Sequence, residues 1–276
     1  MAQRYGVTVE LGWPNATASS NNYAVLGGLN GQGNYNVQIG RPAGLGAAFP
    51  TMASTGIGQQ IAKYQTVHSS VPNAANTLFL VWGGPNDAFL AVESPGADQD
   101  SIGKAMEQAL TDLSADIQLL AAMGAAHILV PNMADLGLTP EALAAGPTAQ
   151  YVLSSVSQEY NKGMAQMLAL LDAGLAPLGV ELYSFDTPKF FADAAASFTN
   201  ITQSCFNPNA SPPDLTGVLA GCAGYLYFDG VHPTTAAHAL LADAFAAAVP
   251  EPETWALMLV GLACMTLARR RSTPSA

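Results

Sequence analysis

Residues 77–87 read TLFLVWGGPND, and this stretch does most to decide the fold. Its first six residues are apolar or β-branched, which is typical of a short strand buried inside a sheet. The glycines, proline, asparagine and aspartate that follow are turn residues, so the chain is predicted to leave the sheet there. Taken alone, these turn residues fit a plain turn about as well as a functional loop.

Helical and strand-like patterns alternate along the chain beyond this stretch. In the helical segments apolar residues recur every three or four positions, and the strand-like segments are short apolar runs. The predicted elements are strands over 127–130 and 180–185 and helices over 102–120, 152–171 and 234–248. This order predicts a parallel sheet with helices on both faces and its chemistry in the loops at the carboxyl ends of the strands.

The composition excludes several classes of protein. Half of the 276 residues are apolar and 11% are charged, so the chain is too hydrophobic to be disordered. Twenty acidic and nine basic residues give a net charge of −11. Outside 269–271 the basic residues are scattered singly, whereas nucleic-acid binding needs clustered Lys and Arg. We therefore predict one folded domain over residues 1–248 and no nucleic-acid partner.

The carboxyl-terminal tail carries a separate signal. Residues 249–252 read VPEP, residues 254–268 hold no charge, and three arginines follow at 269–271. A helix breaker, an apolar helix and a positive cluster are typical of a membrane segment, although 15 residues are fewer than the roughly 20 that span a bilayer. We interpret 255–268 as a transmembrane helix, because a buried core helix would hardly end on three arginines.

This tail, residues 249–276, resembles the PEP-CTERM protein-sorting signal. The resemblance implies export to the cell envelope or the exterior of a Gram-negative bacterium, with an inner-membrane anchor before processing. It also implies an exosortase-type processing enzyme as a partner. The first twenty residues lack the basic and apolar regions of a secretory signal, so we expect an export signal to precede Met1.

Cysteine usage agrees with export. Cys205 and Cys222 flank a stretch rich in proline and asparagine, where a disulfide would hold a loop that has little core of its own. Two buried free thiols are the alternative. Cys264 lies in the apolar tail and is expected to behave there as a small apolar residue.

Three short blocks carry side chains or backbone groups suited to chemistry. Residues 22–28 read NYAVLGG, and their glycines either let backbone N–H groups approach a ligand or simply permit a turn. Residues 83–87 read GGPND. Residues 229–233 read DGVHP, in which an aspartate three residues before a histidine can bind imidazole Nδ1 and leave Nε2 as a base. The last block also fits an Asp-Gly turn before a helix that begins with proline.

In this order the three blocks resemble those of the SGNH, or GDSL, hydrolases. Residues 126–140 and 225–235 add similarity to the secreted lipases and esterases of that family. The resemblance implies a three-layer α/β/α sandwich with a mostly parallel, flavodoxin-like sheet. It also implies hydrolysis of an ester bond, with a lipid or an acylated glycan as the substrate.

The resemblance also implies roles for individual residues. His232 and Asp229 correspond to two members of a catalytic triad. The N–H of Gly27 and the side-chain amide of Asn86 correspond to the groups that bind the oxyanion. Gly28 is an alternative to Gly27, because Leu26 stands where that branch of the family often has glycine.

The nucleophile of that family lies in a Gly-Asp-Ser-Leu block on the first strand, and no Gly-Asp-Ser occurs in the sequence. Ser19, Ser20 and Ser101 lack the strand and turn that would present a nucleophile. We therefore expect the first strand and its serine to precede Met1. The alternative is an inactive envelope or surface protein that keeps the fold as a binding or structural module. We predict neither a cofactor nor a metal site, since the four histidines lack ligand spacing.

Overall fold

Three parallel strands form the central sheet. The computed structural model describes residues 7–12, 15–39, 54–207 and 215–249. The strands pair in the order β1 (Leu78–Leu80), β2 (His127–Pro131) and β3 (Glu181–Phe185). They lie at the three positions that the apolar runs of the sequence predict.

The helices pack around this sheet. They are α1 (Tyr35–Gln38), α2 (Ile57–Gln65), α3 (Pro85–Glu93), α4 (Gln99–Ala122), α5 (Pro140–Ala145), α6 (Pro147–Leu175), α7 (Thr187–Ala194), α8 (Thr216–Leu219) and α9 (Thr235–Ala248). Helices α4, α6 and α9 are the three that the sequence periodicity predicts. The residues of the GGPND block divide between a turn and a helix, because α3 begins at Pro85.

A capping box and an apolar face define α4. The N–H of Ser101 donates to Asp98 Oδ1 at 2.8 Å, and the N–H of Asp98 donates to Ser101 Oγ at 2.9 Å. The buried apolar side chains of the helix lie three or four positions apart: Met106, Ala109, Leu113, Ile117 and Leu120. Burying one Leu or Ile side chain contributes about 1.5–3 kcal/mol, so this face fixes α4 against its neighbours α3 and α6.

Strand β2 buries side chains on both faces of the sheet. Ile128 and Val130 belong to the larger core, whereas Leu129 packs with Leu241 and Phe245 of α9. Because successive strand residues point to opposite faces, helices must cover both sides of the sheet. This arrangement confirms the predicted α/β/α sandwich.

Strand β1 lies at the edge of the sheet in the part of the chain that the structure describes. Leu80 is 44% exposed there, although parallel strands are ordinarily buried on both faces. That the sheet has a further, first strand stays a prediction.

A second, two-stranded sheet lies outside the predicted pattern. It consists of β4 (Asn200–Ser204) and β5 (Tyr225–Tyr227), which pair in parallel. The structure joins Cys205 to Cys222 by a disulfide, with the two Cα atoms 5.5 Å apart. Sequence reasoning missed β4 because its residues are polar and mostly exposed, so no apolar alternation marks it.

The predicted transmembrane helix at 255–268 falls outside the described residues. Within the described ranges, no helix combines the length and the apolar character that crossing a bilayer requires. The last described helix, α9, ends at Ala248, directly before the VPEP motif.

Candidate active site

The turn between β1 and α3 positions Asn86 and Asp87. Gly84 has a φ of 109°, and a Cβ at this residue would lie 2.9 Å from the ring of Tyr160. Glycine is therefore needed for both the conformation and the close approach. Pro85 follows as the first residue of α3, so Asn86 and Asp87 lie in the first turn of that helix.

Asn86 contacts the glycine-containing block of residues 22–28. Its Nδ2 donates a hydrogen bond to the carbonyl oxygen of Gly28 at 2.9 Å. The N–H of Gly28 donates to the carbonyl oxygen of Val25 at 3.2 Å, which closes a tight turn. Gly27, between them, is buried and has a φ of 79°. The structure thus places the amide of Asn86 beside the Gly28–Leu29 peptide, next to Gly27 in sequence.

A buried polar network next to the Asn86–Gly28 contact holds the loop of residues 27–30. Both carboxylate oxygens of Asp87 accept the backbone N–H of Asn30, at 3.1 and 3.3 Å. The side chain of Asn30 in turn donates to the carbonyl oxygen of Ala109 at 3.0 Å and to Tyr160 Oη at 2.8 Å. Sequence reasoning missed Asn30 and Tyr160. Asn30 resembles an ordinary turn residue, and Tyr160 fits the apolar stripe of α6.

Burial changes the titration of Asp87. Removal from water raises the pKa of its carboxyl to about 7, even though the hydrogen bond from the Asn30 N–H acts in the opposite direction. The carboxyl of Asp87 is thus predicted to change its charge near neutral pH.

His232 and Asp229 form a hydrogen-bonded pair in the loop after β5. His232 Nδ1 lies 2.8 Å from Asp229 Oδ2 and 3.0 Å from Oδ1. Asp229 Oδ1 also accepts the backbone N–H groups of Val231 at 2.9 Å and His232 at 2.7 Å. The carboxylate therefore fixes both the imidazole ring and the backbone that carries it.

The environment of Asp229 favours its ionised form. Partial burial by itself raises the pKa of the carboxyl, but the hydrogen bonds from His232 and Val231 outweigh it, so the net pKa lies below its usual value. An ionised Asp229 accepts a hydrogen bond from the Nδ1–H of His232, and this leaves Nε2 as the basic nitrogen. The side chain of His232 is 53% exposed, which suits a group that must reach a substrate.

Helix α5 contacts the loop that carries Asp229 and His232. The N–H of Glu141 donates to the carbonyl oxygen of Gly230 at 2.9 Å. A Cβ at Gly230 would lie 2.8 Å from Glu141 Oε2 and 3.1 Å from Glu141 Cβ. The Asp229–His232 loop can therefore sit on α5 only because residue 230 has no side chain.

We expect Gly230→Ala to displace the histidine loop and to lower the free energy of unfolding by about 1–3 kcal/mol, the usual cost of overpacking. The NMR signals of the His232 ring should shift as its contact with Asp229 changes. Gly103→Ala in α4 is the matched control, because a Cβ at Gly103 meets nothing within 4 Å. An unchanged His232 spectrum in Gly230→Ala would contradict the predicted displacement.

A chain of contacts connects the two parts of the candidate site. Trp82, just before the GGPND turn, donates from Nε1 to the carbonyl oxygen of Asn132 at 3.1 Å. Asn132 begins the loop after β2, and that loop leads to α5, where Glu141 contacts Gly230. The structure thus brings Asp229 to His232 and Asn86 to Gly28, and the segment 132–141 bonds to Trp82 at one end and to Gly230 at the other.

The serines considered in the sequence make local structural contacts. Ser20 Oγ donates to the carbonyl oxygen of Leu11 at 3.0 Å, and Ser19 Oγ donates to Glu10 Oε2 at 2.5 Å. Ser101 belongs to the capping box of α4. Across residues 7–12, 15–39, 54–207 and 215–249, no group of three His, Cys, Asp or Glu side chains is arranged to hold a metal ion.

Two family models match the chain. The one described as GDSL-like Lipase/Acylhydrolase matches residues 1–245. The one described as PEP-CTERM protein-sorting motif matches residues 248–272, and this motif indicates export and sorting to the envelope of a Gram-negative bacterium.

Two curated relatives extend the comparison. A Pseudomonas putida protein described as "Uncharacterized protein in trpE-trpG intergenic region" is 30% identical over 182 residues, which cover 61% of this chain and 28% of that protein. An Arabidopsis thaliana protein named "Inactive GDSL esterase/lipase-like protein 25" is 23% identical over 228 residues, which cover 78% of this chain and 54% of that protein. The matched regions therefore span only 28% and 54% of these two relatives.

Proposed function

Because this chain belongs to the family of GDSL-like lipases and acylhydrolases, we propose that it carries the base and the oxyanion-binding groups of an ester-hydrolase site. The observation that carries the proposal is the contact of His232 Nδ1 with both oxygens of Asp229. In this role His232 takes the proton of an attacking hydroxyl at Nε2 and later gives it to the leaving alcohol. Asp229 holds the ring in the required tautomer and stabilises the imidazolium that forms.

The oxyanion is bound, in this proposal, by the N–H of Gly27 and the side-chain amide of Asn86. The contact of Asn86 with the Gly28 carbonyl supports this, since it holds the amide beside the glycine block. The bond from the Gly28 N–H to Val25 favours Gly27 over Gly28 as the backbone donor. One such donor is worth roughly 3 kcal/mol of transition-state stabilisation.

The nucleophile in this mechanism is a serine that the 276 residues do not supply as a Gly-Asp-Ser block. Its hydroxyl attacks the ester carbonyl, the alcohol leaves, and water then releases the acid from the acyl-serine. The proposed substrates are carboxylic esters of a lipid or of an acylated glycan. The proposed route to the envelope includes processing by an exosortase-type enzyme after anchoring through residues 255–268.

A second candidate function is a catalytically inactive envelope protein that keeps the fold for binding. Two observations favour it, namely the lack of Gly-Asp-Ser and the relative that is named inactive. The two candidates differ in whether His232 and Asp229 still act on a correctly placed hydroxyl.

Supplying the serine tests the difference. A strand carrying Gly-Asp-Ser-Leu, taken from an active family member, would be joined to the amino terminus and the product treated with a fluorophosphonate probe. We expect the joined protein to be labelled and the chain by itself to remain unlabelled. His232→Ala and Asp229→Asn should each lower the labelling rate by about 10³-fold or more, and His68→Ala serves as the matched histidine control.

Two other outcomes of the labelling experiment would contradict the proposed catalytic roles. Labelling of the unmodified chain would mean that another nucleophile exists, and a folded joined protein without labelling would support the inactive module. A measurement on the chain as it stands complements the labelling: ¹⁵N NMR should find His232 with its proton on Nδ1. Asp229→Asn should mix the tautomers, and a ring already mixed in the wild type would contradict the base role of His232.

A further inference from the structure

An aromatic pair lies beside the histidine loop and has no part in the mechanism above. Phe206 and Phe228 stack with their ring centroids 5.7 Å apart and their planes 29° apart. The N–H of Phe206 donates to the carbonyl oxygen of Phe228 at 2.7 Å, which extends the pairing of β4 and β5 by one step. We call these two residues the phenylalanine pair.

Backbone pairing places Phe228 opposite His232. The chain turns back after β5, so that Tyr227 and Pro233 form an antiparallel bridge and the N–H of Phe228 donates to the carbonyl oxygen of His232 at 2.8 Å. Residues directly opposite each other in an antiparallel pair carry their side chains on the same face. The Phe228 ring and the His232 imidazole therefore share one face of this turn.

The other face of the turn is occupied by the core. Tyr227 is buried and stacks on Phe191 with parallel rings 6.3 Å apart. Phe228, the next residue, is 37% exposed. The exposed part of this ring offers an apolar surface to a ligand that reaches His232, and apolar and aromatic side chains line most ligand sites.

The disulfide fixes the phenylalanine pair in place. Cys205 directly precedes Phe206, and its bond to Cys222 ties the end of β4 to the segment that leads into β5. The N–H of Cys205 also donates to the carbonyl oxygen of Tyr227 at 3.0 Å. The two rings are thus held before a ligand arrives, which lowers the entropic cost of binding.

We propose that the phenylalanine pair binds the apolar acyl chain of the ester whose carbonyl reaches His232. This inference rests on the proposed hydrolase function and names its substrate class: neutral esters with an extended acyl chain. The two rings offer an apolar surface with no charged group of their own. The net charge of −11 favours a neutral ester over its anionic acid product, so the product is released after cleavage.

A homologous series of ligands tests the phenylalanine pair on the full-length chain. Methyl butanoate, methyl hexanoate and methyl octanoate would be titrated while the NMR signals of the His232 ring are followed. A fully buried methylene corresponds to about a fourfold gain in affinity, and one that is covered on a single side to about half of that factor. We therefore expect the dissociation constant to fall about twofold for each added methylene.

Two variants and one control locate the effect. Phe228→Ala should abolish the dependence of affinity on chain length and weaken methyl octanoate binding about tenfold. Phe228→Leu should keep most of the dependence on chain length. Leu178→Ala removes an apolar side chain after α6 that is more exposed than Phe228, 76% against 37%, and this variant should change nothing. The apolar segment 254–268 is present in every variant, so nonspecific binding to it cancels from the comparison.

The outcomes separate this inference from the proposed function. Equal chain-length dependence in wild type and Phe228→Ala would overturn the acyl-binding role, as would a wild type without any such dependence. If the esters bind as expected while the serine-supplied protein stays unlabelled, the acyl-binding role stands and the hydrolase function fails.

Discussion

Asn30→Ala is expected to lower the free energy of unfolding by about 3 kcal/mol. Asn30 is completely buried, and its amide donates to the carbonyl oxygen of Ala109 and to Tyr160 Oη. Alanine leaves Tyr160 Oη without its partner, at about 1–3 kcal/mol, removes a second hydrogen bond from the Ala109 carbonyl, and adds a small cavity. Asn30 Oδ1 has no hydrogen-bond partner among the described residues, so its removal offsets part of that loss.

Urea unfolding measures this loss, and the denaturant slope should stay unchanged. Asn76→Ala is the matched control, because the Asn76 side chain bonds only to exposed Asn73 and its loss should cost less than about 0.5 kcal/mol. If Asn30→Ala were as stable as this control, the network around Tyr160 would not hold the loop of residues 27–30. The same variant should also change the NMR signal of the Asn86 amide, since that amide bonds to Gly28 in the loop.

Asp116→Asn is expected to stabilise the protein at pH 8 and to leave its stability nearly unchanged at pH 4. Asp116 is 6% exposed, and its Oδ2 has no hydrogen-bond partner in the described part of the chain. Burial, with a smaller effect of the Asp112 charge, raises the pKa of Asp116 from 3.8 to about 7. The folded protein thus holds this proton over a pH range in which the unfolded chain has released it.

The direction of the pH dependence follows from that difference. Wherever the folded state binds more protons than the unfolded state, stability falls as the pH rises, here between about pH 4 and pH 7. One pKa unit corresponds to about 1.4 kcal/mol, so ionised Asp116 costs up to about 4 kcal/mol above pH 7. Asparagine cannot ionise and avoids that cost. Asp87, whose pKa burial also raises to about 7, keeps part of the pH dependence in the variant.

Urea unfolding at pH 4 and pH 8 gives the two stabilities. Asp100→Asn provides the matched control, since it removes the same charge from an exposed carboxylate that pairs with Lys104. Its effect should stay within about 1 kcal/mol at both pH values. A gain for Asp116→Asn that is equal at both pH values would show that titration of Asp116 is not its cause.

Local patterns allowed much of this architecture to be predicted. The apolar spacing of α4 and α6 appears directly in the sequence, because the residues that form one face of a helix lie three or four positions apart. The pairing of Asp229 with His232 was also predictable from local sequence. The two residues lie three positions apart on one short loop, which brings their side chains together.

Other parts of the site depend on contacts that no local pattern contains. The amide of Asn86 bonds to Gly28, which lies 58 positions earlier, and Asn30 bonds to Tyr160 across 130 positions. Tyr160 had the signature of an ordinary core residue of α6. Its hydrogen bond with the Asn30 side chain forms only when α6 is packed against the loop that holds Asn30.

The sequence by itself determined the alternation of strands and helices, the acidic charge, the sorting motif and the composition of the three chemical blocks. These are properties of single residues or of near neighbours, so a linear pattern records them. Only the tertiary structure decided that Asp87 accepts the backbone N–H of Asn30, and that Phe228 of the phenylalanine pair bonds to the backbone of His232. Such contacts arise from how helices and strands pack and from the register of distant segments, and those depend on the whole chain at once.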